Sequence, residues 1–218
     1  MHIHRDLRPT RADSAARPRW LATLHTCLAL TIALGAIVPA QASLFTVTNL
    51  VTDDQSVNSA KITDPNLVNA WGVSHSAASP FWVSDNGTGV ATLYAVSPTT
   101  GIPVKQGLTV TIPGAGNVTG QAFANVAGNF NADTFLFVSE DGTVSGWRGA
   151  LGTAAETLQL GSSTNSYKGA ALATISGNSY LYAANFLTGK VDVLKGSAGA
   201  PNLAGNFTDP TSCNEVPS

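Results

Sequence analysis

The chain has 218 residues with a formal net charge of −2, and beyond its first 42 residues Arg148 and five lysines face eleven acids. That balance excludes a nucleic-acid binder, which needs a basic surface. Only 11% of residues are charged, glycine is abundant at 21, and the cysteines number 2, Cys27 and Cys213, which excludes a disulfide-stapled scaffold and points to an all-β chain with many tight turns.

Residues 1–42 read as a secretory signal peptide. Arg5, Arg8, Arg11, Arg17 and Arg19 form a basic leader, Cys27 to Val38 form an apolar run, and Ala40-Gln41-Ala42 supplies small residues for cleavage. The run is too short to span a bilayer, and Pro39 ends it. Cleavage would remove Cys27 and leave Cys213 alone. The mature chain is then expected to be exported, periplasmic or extracellular, with no membrane span.

After an alternating segment, Leu44 to Leu50, that predicts one isolated strand, three stretches repeat one pattern. They are FWVSDNGTGVATLY (Phe81 to Tyr94), FLFVSEDGTVSGW (Phe135 to Trp147) and YLYAANFLTGKVDVL (Tyr180 to Leu194), whose starts lie 54 and 45 residues apart. Such spacing predicts one four-stranded blade of a β-propeller per repeat. In the first blade the strands are Ala70 to Ser74, Phe81 to Ser84, Val90 to Val96 and Leu108 to Ile112. In the second they are Gly120 to Ala124, Phe135 to Ser139, Thr143 to Trp147 and Thr157 to Leu160. The third uses Gly169 to Thr174, Tyr180 to Ala184, Lys190 to Leu194 and an outer strand near Asn202 to Phe207. Gly72, Gly120 and Gly169 fall at matching places on the innermost strands, where converging blades leave little room. The expected fold is all-β, four-stranded antiparallel blades, about three of them, over residues 43–210, followed by a divergent tail, 211–218. Closed propellers have four or more blades. An open array exposes strand edges and blade faces, so self-association through them is expected.

Thr63-Asp64-Pro65-Asn66-Leu67-Val68-Asn69-Ala70-Trp71-Gly72-Val73, then Phe81 to Gly89, Thr119-Gly120-Gln121, Ser139 to Trp147, Tyr167-Lys168-Gly169 and Tyr182 to Phe186, resemble the exported bacterial β-propeller family associated with PEP-CTERM sorting. The resemblance covers most of Asn49 to Asp209. It implies a six-bladed propeller with NHL-type blades, of which this chain would hold about half. It implies no activity. Beyond Pro210 the resemblance stops, which reads as a C-terminal truncation, and the Pro-Glu-Pro sorting signal is missing from the chain.

Candidate metal ligands are Asp85, Glu140, Asp141 and Asn185, in the turns Asp85-Asn86-Gly87 and Glu140-Asp141-Gly142 and at the matching place in the third repeat. If these turns share a rim, their oxygens suit calcium. The same dipeptides are favoured hairpin turns that accept positive φ, which is the stronger expectation. His75 is the only histidine outside the leader, between two serines, and reads as a solvated loop residue; a triad would have to recruit an acid from Asp85 or elsewhere, and multi-histidine zinc binding is excluded. Trp71, Trp82, Trp147, Tyr94, Tyr167, Tyr180 and Tyr182 suit inter-blade packing better than a sugar- or peptide-stacking surface. Lys168, before an inner-strand glycine, faces either the axis or the rim.

The sequence thus points to an exported β-propeller acting as a binding or interaction module on a cell-envelope or extracellular ligand. The alternatives are a calcium-dependent lactone or ester hydrolase of the gluconolactonase-like type, which would draw ligands from around the axis, and a truncated product without function.

Overall fold

The computed structural model describes residues 46–115 and 117–204. The proposed leader, the tail 211–218 and half of the outer strand expected near Asn202 to Phe207 lie outside them. Among the described residues no helix is long and apolar enough to cross a membrane.

The chain is all-β and forms a partial β-propeller. Blade 1 is a four-stranded antiparallel sheet of β3 (Ala70–Ser74), β4 (Phe81–Asp85), β5 (Val90–Val96) and β6 (Pro103–Thr111) in sequential order. Blade 2 repeats it with β7 (Val118–Phe123), β8 (Phe135–Ser139), β9 (Val144–Trp147) and β10 (Glu156–Gln159). Blade 3 contains β11 (Tyr167–Ile175), β12 (Asn178–Asn185) and β13 (Lys190–Lys195). Consecutive strands pair through mostly short connections with turn-forming residues; the longer one between β7 and β8, residues 124–134, contains a 3-10 turn at Phe130–Ala132.

The core lies between blades. Trp82, Leu93 and Val110 of blade 1 meet Phe135, Phe137 and Val118 of blade 2. The Trp82 ring stacks on Phe135 at 4.1 Å between centroids and tilts against Trp147 at 4.7 Å. Across the next seam Leu136, Val138 and Val144 of blade 2 pack on Tyr167, Leu181 and Ala183 of blade 3. Alternation along each second strand sends successive side chains to the two neighbouring blades, so Phe135 and Phe137 face backward while Leu136 and Val138 face forward.

One expectation fails, and the described part of another carries no strand. Residues 46–50 form no strand; instead β1 (Val51–Thr52) pairs in parallel with β2 (Ile62–Thr63). No sheet face receives the alternating side chains there, and Val47 stays 85% exposed. Residues 202–204 also carry no strand. The 200–201 stretch instead crosses blade 3, burying Ala200 and accepting the Tyr180 hydroxyl on the Pro201 carbonyl at 2.9 Å.

The segment that holds β1 and β2 is fastened to the outward face of blade 1. Buried Asp64 accepts the Tyr94 hydroxyl at 2.6 Å on one oxygen and the Lys105 ammonium at 2.6 Å on the other. Thr88 donates to the Asn66 carbonyl at 2.8 Å, and the Gly87 amide bonds the Val68 carbonyl.

Candidate functional site

One irregularity recurs in all three blades. Ala70 pairs with Asp85 and Val73 with Val83, so the inner strand carries one residue more than its partner over that interval. Val118 and Gln121 stand in the same relation to Ser139 and Phe137, as do Tyr167 and Ala170 to Asn185 and Ala183. The result is a β-bulge at Trp71-Gly72, Thr119-Gly120 and Lys168-Gly169. Bulges redirect side chains, and these three converge on one concavity of about 440 Å³ lined by Trp71, Thr119, Gln121, Lys168 and the three bulge glycines.

Two of those glycines are required by the neighbouring strand. A Cβ on Gly72 would meet the Thr119 carbonyl oxygen at 2.5 Å, and one on Gly120 would meet the Ala170 amide nitrogen at 2.4 Å. Polar side chains complete both seams. Gln121 donates its carboxamide to the carbonyls of Gly72 at 2.7 Å and Trp82 at 2.6 Å. Thr119 is within hydrogen-bonding distance of the carbonyls of Tyr167, at 2.8 Å, and Val138, at 3.1 Å.

Lys168 runs from the axial wall to the rim. Its ammonium is bonded to the Glu140 carboxylate and lies 5.4 Å from the centroid of the Trp71 ring and 5.8 Å from that of Phe186. Trp71 and Phe186 are 43% and 68% exposed, so both rings stay partly open to solvent beside an ion pair. Trp71 therefore departs from the packing expected of it, because the bulge turns it out of the seam.

The four residues expected on one rim do end up at the outer ends of the second strands or in the turns beyond them. Asp85 and Asn185 are register equivalents, each paired with the first residue of its inner strand, while Ser139 takes that place in blade 2 and Glu140 and Asp141 follow it. Their oxygens diverge. Asp85 is buried against blade 1, accepting from the Thr92 hydroxyl at 2.7 Å, while its second oxygen has no partner. Burial, with the charge of Asp64 in addition, pushes it up to about 7 against the opposing Thr92 hydrogen bond and Lys105 charge. Asp141 accepts from the amides of Ala115 and Thr143 at 2.7 and 2.9 Å, which outweigh its burial and hold it below the usual carboxylate range. Asn185 donates to Asn165 and Asp192 and accepts from the Ser166 amide. Glu140 is neutralised by Lys168. Only Glu140 and Asp141 share a wall, that of a shallow cavity of about 370 Å³ with Ser162 and Asn165. Among the described residues no three His, Cys, Asp or Glu side chains are grouped to hold a metal ion. The set does not fit a common calcium.

The turns themselves differ from the tight two-residue form. Each is a four-residue loop, and the positive φ falls on Gly89 in blade 1, Gly142 in blade 2 and Gly189 in blade 3. Gly87 is instead needed for space, since a Cβ there would lie 2.6 Å from Val68. His75 is an exposed loop residue whose ring lies edge-on to Phe81, as expected.

Sequence reading missed Gln121 as the link between blades 1 and 2, although it stands beside the repeated glycine. It also missed Asp133, which is buried and pushed up to about 6 by that burial, against the bond from Arg148, which joins Asp133 to Glu156.

No family model matches the chain, and none of the curated proteins does. Among solved structures it is similar to a "putative 6-phosphogluconolactonase" from Bacteroides uniformis, at 16% identity and a TM-score of 0.44, over 75% of this chain. The chain spans 45% of the length of that protein.

Proposed function

We propose that this chain is an exported binding module that holds a neutral, hydroxyl-rich ligand, a glycan of the cell envelope, against the axial concavity. The observation that carries the reading is Lys168, whose ammonium lies over the rings of the partly exposed Trp71 and Phe186 while bonded to Glu140. An aromatic face covers the apolar side of a sugar ring, and the ion pair offers a donor and an acceptor to its hydroxyls. An anionic ligand would have to displace Glu140 first. The leader pattern in residues 1–42 supports export.

The reading is tested by retention of envelope glycan fractions on immobilised protein. Trp71→Ala and Lys168→Ala are expected to lose most of the retention while keeping the β-sheet circular dichroism. Equal retention by both variants, or none by the unaltered protein, would overturn it. A calcium-dependent lactone hydrolase has no comparable support, because its intended ligands diverge.

A further inference from the structure

The bulge glycines do not end where their neighbours do. Gly72 is filled by the inner strand of blade 2 and Gly120 by that of blade 3, yet among the described residues a Cβ on Gly169 meets nothing within 4 Å. The sequence repeats the glycine, and nothing among the described residues of one copy requires it. The forward face of blade 3 repeats the pattern. Trp82 and Ala91 of blade 1, and Leu136 and Val144 of blade 2, are buried against the following blade. The register equivalents of Ser84 and Ala91 in blade 3 are Ala184 and Val191, paired with each other and both exposed. At the opposite end of the arc the 50–68 segment is bonded to β5 and β6 on the backward face of blade 1, but the inner strand β3 is open there, with Val73 60% exposed, as is the start of β4, with Phe81 41% exposed.

We infer that two copies of this chain close into one ring, the inner strand β11 of each packing on β3 of the other with Gly169 at the seam. The occupant follows from the repeat: twice within the chain, such a glycine receives the inner-strand backbone of a blade of this kind, and β3 is the inner strand whose backward side is open. Two sets of three blades make six, inside the four to eight of closed propellers. A two-fold axis along the propeller axis closes both ends at once, whereas a head-to-tail contact without closure would grow into filaments. The ring would surround the axial concavity with both copies' Trp71, Thr119 and Lys168. The inference does not rest on the glycan reading, since it concerns the seam alone.

The test is the mass of the purified protein by light scattering over a dilution series, beside Gly169→Ala and Ala184→Lys. Among the described residues of one copy neither change meets an obstacle, because Gly169 faces open space and Ala184 is exposed, so the circular dichroism and monomer stability of both are expected to match the unaltered chain. In the ring, the added Cβ would fall about where Gly72 and Gly120 admit none, and dimer dissociation constants are expected to rise at least tenfold for both variants. A two-copy mass lost in both variants supports the ring. A single-copy mass for the unaltered protein, a dimer indifferent to both substitutions, or open-ended particles would overturn it.

Discussion

Gln121 spans the seam between blades 1 and 2, its carboxamide nitrogen 2.7 Å from the carbonyl oxygen of Gly72. The same nitrogen reaches the Trp82 carbonyl, so two backbone acceptors on different strands of blade 1 depend on one side chain of blade 2. Gln121→Leu keeps much of the volume and removes both donors. Leaving buried acceptors unpaired costs about 1–3 kcal/mol. A lower urea midpoint of about that size is expected, with an unchanged slope. An unchanged midpoint would show that water takes over both carbonyls.

Asp64 holds the 50–68 segment to blade 1 through Tyr94 and Lys105, partners 30 and 41 residues away. Both bonds, with that from the Asn66 amide, outweigh burial and keep the carboxyl below the usual range. Asp64→Ala leaves the Tyr94 hydroxyl buried without its acceptor and Lys105 without its counter-ion. Removing one partner of a buried pair typically costs about 3–5 kcal/mol; the upper part is discounted here because Lys105 is a third exposed. Faster amide exchange is expected in 50–68 well before the blades open. Uniform protection loss across blade 1 would instead mean that segment and blade form one cooperative unit.

How far the sequence reached depended on whether a feature was local. Strand positions around Phe81, Phe135 and Tyr180 were legible because each is an apolar run closed by a turn, and the glycine at the bulge was legible because it recurs at the same place. The pairing of Asp64 with Tyr94 was not, since nothing in either residue's neighbourhood encodes a partner so distant in sequence. Asp85 was misread for a related reason. A carboxylate before Asn-Gly looks like an exposed turn, but Asp85 is the last residue of β4, which is buried on both faces from Trp82 onward, and it is enclosed beside Thr92.

Burial of Asp85 makes stability depend on pH in the direction opposite to an ion-paired acid. Its carboxyl is raised from the ordinary 3.8 to about 7, so the folded state holds a proton that the unfolded state has released. Stability from this group is complete below about pH 4 and falls as pH rises towards 7. Asp133, raised to about 6, has the same sign, whereas Asp64 and Asp141 have the opposite sign and lose their contribution as pH falls through their lowered values. The difference between the unaltered chain and Asp85→Asn isolates one group. Asp85→Asn is expected to raise the melting temperature at pH 8 and to lose that advantage near pH 4. A constant difference across the range would place the titration elsewhere.

The bulge glycines separate seam packing from turn conformation, because neither Gly72 nor Gly120 has a positive φ. Alanine at either position is conformationally ordinary; only the neighbouring backbone opposes it. At Gly120 the obstacle is the Ala170 amide nitrogen at 2.4 Å, with Gly169 backbone atoms beside it, and backbone held in a sheet cannot yield as a side-chain tip would. Overpacking of this kind costs about 1–3 kcal/mol. Gly120→Ala is expected to destabilise the protein by that amount or more, and Gly72→Ala somewhat less, since its nearest obstacle is a single carbonyl oxygen. Because the strain is shared between two blades, Thr119→Val should add less to Gly120→Ala than it removes alone: the hydroxyl reaches the Tyr167 carbonyl across a seam that the alanine has already opened. Additive losses in that double variant would mean that the inner strands move independently, and that the concavity at the axis is not one rigid wall.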